Sequence, residues 1–240
     1  MYGKKTLLRT ADMGGYESIS PLVEAGLIDT VELEAADSPW VWTNDCAEKV
    51  DLDQYGLVAI DSATSLAEAL LSDCARLSSM NIQVGSQKTL KFAIPNTGLV
   101  VGANTESHYM VVQSFIKDAI WKSTWLAKTG IDVLWTFGEL NPDGTNIIGA
   151  ALAGKALTDK LPKWIKYTLR LESIPVEGGL PRHVLHCAPH TVGMGLIGYA
   201  NSRFPLGTSI EPPTTIEPAS LPDFFQLVDA AHQEAMNLVD

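Results

Sequence analysis

The segment Gly56-Leu57-Val58-Ala59-Ile60-Asp61-Ser62-Ala63-Thr64-Ser65-Leu66 sets an unbroken apolar run against an acid, a row of small hydroxyl residues and a helix-forming stretch. Apolar residues at successive rather than alternate positions need burial on both faces, which predicts an inner strand of a parallel sheet. In open α/β sheets the ligand crevice lies just beyond the carboxyl ends of the strands. The spacing puts Asp61 and Ser62 at that point. A carboxylate there can hold a hydrated Mg²⁺ beside nucleotide phosphates. The competing reading is local: Asp61 or Ser65 starts the following helix, and Ser65-Leu66-Ala67-Glu68 fits a capping box.

With 240 residues, 46% of them hydrophobic and 19% charged, the chain fits one ordinary α/β domain with an appendage, globular and soluble. No apolar run approaches the length needed to span a bilayer. The start, Met1-Tyr2-Gly3-Lys4-Lys5, leads straight into Thr6-Leu7-Leu8 without the apolar core and small-residue cleavage site of a signal peptide. A cytoplasmic protein with no membrane partner is therefore expected. Cys46, Cys74 and Cys187 are odd in number and widely spaced, which gives neither a disulfide framework nor a paired-cysteine zinc pattern. They are expected to be reduced core or near-core residues. A net charge of −11 argues against a surface coated for nucleic acid but leaves room for one local basic groove.

Thr6–Ala11 reads as a short strand ending at Asp12-Met13-Gly14-Gly15, and Val31–Glu34 as a second. Trp40 to Asp53 shows no clear period and is loop or short helix. Ser65 to Ser78 is an amphipathic helix with Leu66, Leu70, Cys74 and Leu77 on one face. Gly85, Pro95, Gly98 and Gly102 punctuate short β-like runs between Asn81 and Thr105, which suggests a hairpin insertion. A second helix spans Glu106 to Lys128, with Tyr109, Val112, Ile116, Ala119 and Ser123 as its buried stripe and Gly130 as its stop. Trp121, Trp125 and Trp135 are most simply core residues. Ile131–Phe137, Ile165–Leu171 and His183–His186 complete the strands. The chain is Pro-rich after Asn201, as a surface-crossing arm, and ends in a helix from about Pro222 to Val239. The alternation of strands and helices favours a three-layer α/β architecture with a mainly parallel sheet. Residues 1–200 form its core, with the insertion at 81–105, and residues 201–240 supply the arm and terminal helix.

Four segments then stand in a telling order. They are Leu7-Leu8-Arg9-Thr10-Ala11-Asp12-Met13-Gly14-Gly15, Leu57–Ser62, Val133-Leu134-Trp135-Thr136-Phe137-Gly138-Glu139, and Gly154-Lys155-Ala156-Leu157-Thr158-Asp159-Lys160-Leu161-Pro162-Lys163-Trp164 through Leu171. Spanning most of residues 6 to 172, the set resembles the phage-encoded RecA/RadA-like P-loop ATPases, AAA-type ATP-binding proteins linked to single-strand annealing and recombination. Ser202-Arg203-Phe204-Pro205-Leu206-Gly207 resembles the tail of such proteins. The resemblance implies a RecA-like core in which Leu57–Ser62 is the Walker B strand. ATP and Mg²⁺ would be the cofactors, and a homo-oligomeric ring or filament the assembly. Single-stranded DNA would be a partner, in the cytoplasm of a phage-infected bacterium.

One departure stands against this likeness. The family opens with a strand, a Gly-rich phosphate loop ending in Gly-Lys-Thr/Ser, and a helix. Gly3-Lys4-Lys5-Thr6 is no substitute, because a phosphate loop needs a strand before it and a helix N-terminus after it. Loss of that strand, central to the sheet, would leave unpaired backbone groups beside its neighbours. Three explanations stand: a shortened reading of a longer gene, a segment supplied by another chain, or a relative rebuilt without ATP hydrolysis.

By the resemblance, Asp61 carries Mg²⁺ with help from Ser62, Asp12 orients the attacking water, and Glu139 senses the γ-phosphate. Local alternatives remain: Asp12 as a turn former before Gly14-Gly15, and Glu139 as a solvated acid beside Pro142-Asp143-Gly144. Lys155, Lys160, Lys163, Trp164, Lys166 and Arg170 form a basic cluster interleaved with an aromatic. It would reach a neighbour's phosphates, with Lys155 as the nucleotide contact, or hold single-stranded DNA with Trp164 stacked on a base. Ordinary surface lysines around a core tryptophan explain the same residues. His183, His186, Cys187 and His190 invite a zinc reading, but the spacing is not that of a closed structural site. A strand would also send His183 and His186 to opposite faces. The rival to the ATPase is a non-catalytic binding or assembly module that keeps the fold. An α/β hydrolase has no Gly-x-Ser-x-Gly elbow to support it.

Overall fold

The computed structural model describes residues 4–12, 16–34, 37–48, 51, 53–80, 90–93, 100–103, 106–141, 147–152, 161–192, 196–206 and 208–238. The chain is mixed α/β and divides into two units. One comprises Met1–Gly138 with Ala151–Leu157, the other Glu139–Ala150 with Thr158–Asp240.

The first unit runs β1 (Lys5–Thr10), α1 (Ser20–Glu24), β2 (Ile28–Glu32), α2 (Pro39–Glu48), β3 (Tyr55–Asp61), α3 (Ala63–Ser79), β4 (Leu90–Ala93), β5 (Val100–Ala103), α4 (Glu106–Lys128) and β6 (Asp132–Trp135). Its sheet has the order β2-β1-β3-β6, and every pairing in it is parallel. The apolar run does what its composition requires. Val58, Ala59 and Ile60 are buried, and β3 lies between β1 and β6. The fully buried Val58 and Ile60 side chains each contribute about 1.5–3 kcal/mol relative to exposure. Among the described residues β6 pairs on one side only, with β3.

α3 buries Leu66, Leu70 and Cys74, one turn apart, as its period predicts. α4 spans the expected residues and buries Val112, Ile116, Ala119 and Ser123, whereas Tyr109 is exposed. Gly130 follows with φ +86°. That left-handed conformation favours glycine, and its N–H donates to the Ala127 carbonyl. β4 and β5 are an antiparallel pair inside the predicted insertion.

One expectation, that three tryptophans are core residues, needs correction, and the short helix allowed from Trp40 is present. Trp121 and Trp125 are not core residues: they are 60% and 64% exposed, because they fall on the α4 face opposite the buried stripe. Trp135 is half-buried, its Nε1 donating to Ser123 Oγ at 3.1 Å. The stretch from Trp40 is part of a ten-residue helix, α2. Its buried residues include Trp42 and Thr43 rather than aliphatics, so it carries little periodic signal. Trp42 Nε1 donates to the Glu32 carbonyl, Trp40 Nε1 to Asp73, and Thr43 Oγ1 to the Pro39 carbonyl. These bonds satisfy polar atoms that burial would otherwise strand.

The second unit holds β7 (Glu139–Leu140), β8 (Ile147–Ala150), α5 (Leu161–Trp164), β9 (Tyr167–Thr168), β10 (Arg170–Ile174), β11 (Arg182–His186), β12 (His190–Thr191), β13 (Ile197–Gly198), β14 (Asn201–Ser202), β15 (Thr215–Ile216) and α6 (Leu221–Asn237). Here the pairing is mostly antiparallel. The sheets are β10-β11-β15, β12-β13-β8-β7 and β14-β9, and among the described residues β13 and β8 are the one parallel pair of this unit. The mainly parallel sheet predicted for the whole chain is thus confined to the first unit. The Pro-rich arm and α6 belong to the second unit. Ser220 caps α6 by accepting the Asp223 N–H, and Phe224 packs edge-on against Tyr167, Phe204 and Phe225 beside Leu185, Cys187 and Val228. Among the described residues no helix is long and apolar enough to cross a membrane.

Candidate functional site

Parallel strands deliver their last residues to one edge of the sheet, and at that edge of the first unit stand Thr10, Asp61 and Thr136. Thr10 is paired in register with Asp61. The Ala11 N–H donates to the Asp61 carbonyl at 2.8 Å, and the Thr136 N–H to the Ile60 carbonyl at 3.0 Å. Thr136 Oγ1 donates a short hydrogen bond to Asp61 Oδ1. A carboxylate has roughly four acceptor positions. That bond therefore fixes the orientation of Asp61 and leaves it able to hold the waters of a hydrated cation. The Asp61–Ser62 peptide is cis.

Asp12 follows on the same edge and is half-buried. Its N–H donates to Thr10 Oγ1 at 3.1 Å, and that hydroxyl donates back to the Asp12 carbonyl at 3.2 Å. The buried Thr10 side chain thus sets the turn that carries Asp12 past the strand end. Ser62 is the N-cap of α3: its carbonyl accepts from the Leu66 N–H and its Oγ from the Ser65 N–H at 3.2 Å. The helix thus begins at Ser62 rather than Ser65, and the hydroxyls of the two serines lie 3.0 Å apart. Thr64, in the first turn of α3, donates to the Ala151 carbonyl at 2.6 Å and accepts from the Gly138 N–H at 2.9 Å. One hydroxyl ties three chain segments at the sheet edge.

Glu139 lies on β7, in the second unit. Its carboxylate meets Arg170 through two contacts, Oε1 to Nε at 2.5 Å and Oε2 to Nη2 at 3.2 Å. Glu139 is exposed, as the solvated-acid alternative has it, and is ion-paired as well. Arg170 also donates through Nη1 to His190 Nε2 at 2.7 Å and lies 3.6 Å from Glu172. His186 Nε2 contacts Glu172 Oε2 at 2.6 Å, and the His186 and His190 rings stack at 3.4 Å. The hydrogen bond to His186, with the Arg170 charge behind it, holds the Glu172 carboxyl below its ordinary range. Burial, with the Arg170 guanidinium adding to it, pushes His190 down and favours its neutral form.

Of the basic cluster, Lys155 and Lys160 lie outside the described residues, as does the Lys163 side chain. Trp164 is half-buried. Lys166 contacts His232 Nε2 at 2.9 Å and sits over the Tyr167 ring. Arg170 is engaged with Glu139 and His190, not presented singly to a ligand. His183 is exposed and His186 buried, and three residues apart on β11 the two fall on opposite strand faces, as expected. Cys187 sits in the apolar cluster around Phe224. Sequence reasoning missed Glu172, Thr136 and Thr64. Strand alternation on β10 does put Glu172 on the Arg170 face, but no local pattern pairs β10 with β11. No protein-family model matches the chain, and no curated protein matches it.

Proposed function

We propose that the first unit is the nucleotide-binding core of a RecA-like ATPase of the phage type, acting in DNA recombination or single-strand annealing. The observation that carries the reading is the placement of Asp61. It ends the middle strand of a parallel set, β1-β3-β6, made of the three strand segments that carry the resemblance, and Thr136, just past the end of β6, orients its carboxylate. In this reading Asp61 holds Mg²⁺ through water and Asp12 orients the attacking water. Mg²⁺ would offset charge on the nucleotide phosphates. Ser62, engaged as a helix cap, leaves Asp61 as the principal group facing the ion. A γ-phosphate sensor role for Glu139 requires release of Arg170. A ring or filament, and a single-stranded DNA partner, extend the same reading.

Calorimetry with Mg·ATP on the full chain tests it, with Asp61→Ala as the paired variant. Micromolar binding that the substitution abolishes is the expected result. A wild-type chain that melts cooperatively and binds no nucleotide removes the ATPase reading and leaves the non-catalytic module.

A further inference from the structure

We propose that Glu172 on β10, His186 on β11 and His190 on β12 form a binding site for a divalent transition-metal ion of the zinc class. Their ligand atoms all lie within 4.8 Å of one another. Nitrogen and oxygen donors at about 2.0–2.2 Å from one ion stand about 3–4 Å apart. The His186 and His190 rings stack nearly parallel at 3.4 Å, so binding also requires the two rings to splay until both lone pairs converge on the ion. Two imidazoles and one carboxylate suit zinc, cobalt or nickel better than the all-oxygen preference of Mg²⁺ or Ca²⁺.

The cluster is built into the fold rather than gathered on its surface. His186 is 8% exposed, and its Nδ1 is buried without a hydrogen-bond partner. With Nε2–H given to Glu172, that leaves a buried lone pair facing no donor, a costly arrangement for a polar atom. His190 is placed by Gly198, its partner across β12 and β13. A Cβ at Gly198 would stand 2.6 Å from His190 Cε1 and 2.8 Å from Nε2, so the ring occupies space that only glycine leaves. His190 Nδ1 lies 3.4 Å from the Ala188 carbonyl, which favours the proton on Nδ1 and the lone pair on Nε2.

The site already attracts a cation. The Arg170 guanidinium donates to His190 Nε2 and lies 3.6 Å from Glu172, while Glu139 anchors its other side. Arg170 occupies the place a metal would contest, and Glu139 can retain it once displaced. Three protein donors leave a tetrahedral ion one position short of closure, the donor count of open sites rather than closed structural ones.

The test uses the full chain, stripped with chelator and titrated with Zn²⁺ by calorimetry and with Co²⁺ by visible absorption. One equivalent is expected to bind, with cobalt bands typical of nitrogen and oxygen ligands. His190→Ala and Glu172→Gln should each weaken binding by at least about tenfold. His183→Ala, on the opposite face of β11, should leave it unchanged, and Arg170→Gln should tighten it by removing the competing cation. Failure of the folded wild-type chain to bind either ion overturns the proposal. So does binding that survives His190→Ala, or that is lost with His183→Ala. The wild-type titration keeps the idea falsifiable if a variant fails to fold.

Discussion

Replacing Thr64 with valine isolates the contribution of a single hydroxyl. Valine keeps the shape of threonine, so no cavity forms, and the helix propensities of the two are similar. The change removes the bond to the Ala151 carbonyl at 2.6 Å and the bond from the Gly138 N–H at 2.9 Å. At about 1 kcal/mol each, the loss is about 2 kcal/mol. For a protein of this size that corresponds to a fall in Tm of about 4–8 °C. Thr64→Ser keeps both bonds and deletes one methyl group, for about 0.8 kcal/mol. Stability should therefore fall from wild type to Thr64→Ser and further to Thr64→Val, the reverse of what volume alone predicts for the two variants. Urea denaturation followed by tryptophan fluorescence measures it. Of the six tryptophans only Trp164 lies outside the unit that holds Thr64. A valine variant as stable as the serine variant would refute the claim that this hydroxyl ties the three segments.

Phe224→Ala should destabilise the second unit by about 3–5 kcal/mol, because a fully buried ring with three edge-on aromatic neighbours is removed. Near-ultraviolet circular dichroism during chemical denaturation reads the loss. Asp29 is held below its ordinary range first by the Tyr55 hydroxyl and then by Lys5. A lowered carboxyl contributes stability above its unfolded value, and that contribution fades as pH falls through the folded value. The advantage of wild type over Asp29→Asn should accordingly be full near neutrality and fade below about pH 4 in pH-dependent melts. The thiols of Cys74 and Cys187 are buried and pushed up to about 11. Both should resist iodoacetamide at about pH 8 in the native chain and react on unfolding, as peptide mass mapping would detect.

The features legible in the chain before folding are those that local pattern controls. The run ending at Ile60 predicts a doubly buried strand, because burial on two faces leaves no polar alternation. The spacing of Leu66, Leu70 and Cys74 predicts α3, and Gly130 marks the end of α4. Long-range pairing is not legible. Nothing near Glu139 announces Arg170, thirty-one residues away, and nothing near Glu172 announces His186. Composition misleads at Trp121 and Trp125. Large aromatic rings usually go inside, yet their helical angle places them outward. At α2 the buried face includes tryptophan and threonine, whose polar tips are satisfied by partners distant in sequence or one turn back. Hydropathy alone therefore carries no period there.

The division of the chain has a consequence for taking the protein apart. The second unit draws Glu139–Ala150 from a stretch flanked on both sides by residues of the first. No single cleavage therefore yields both units whole. A fragment beginning at Thr158 lacks β7 and β8, so β13 keeps only β12 as a neighbour among the described strands and Arg170 loses its Glu139 partner. A fragment ending at Leu157 carries those two strands without the sheet that completes them. Dissection by limited proteolysis should give nicked chains that stay associated, and separate expression of either half should give material prone to aggregate through its unpaired strand edges.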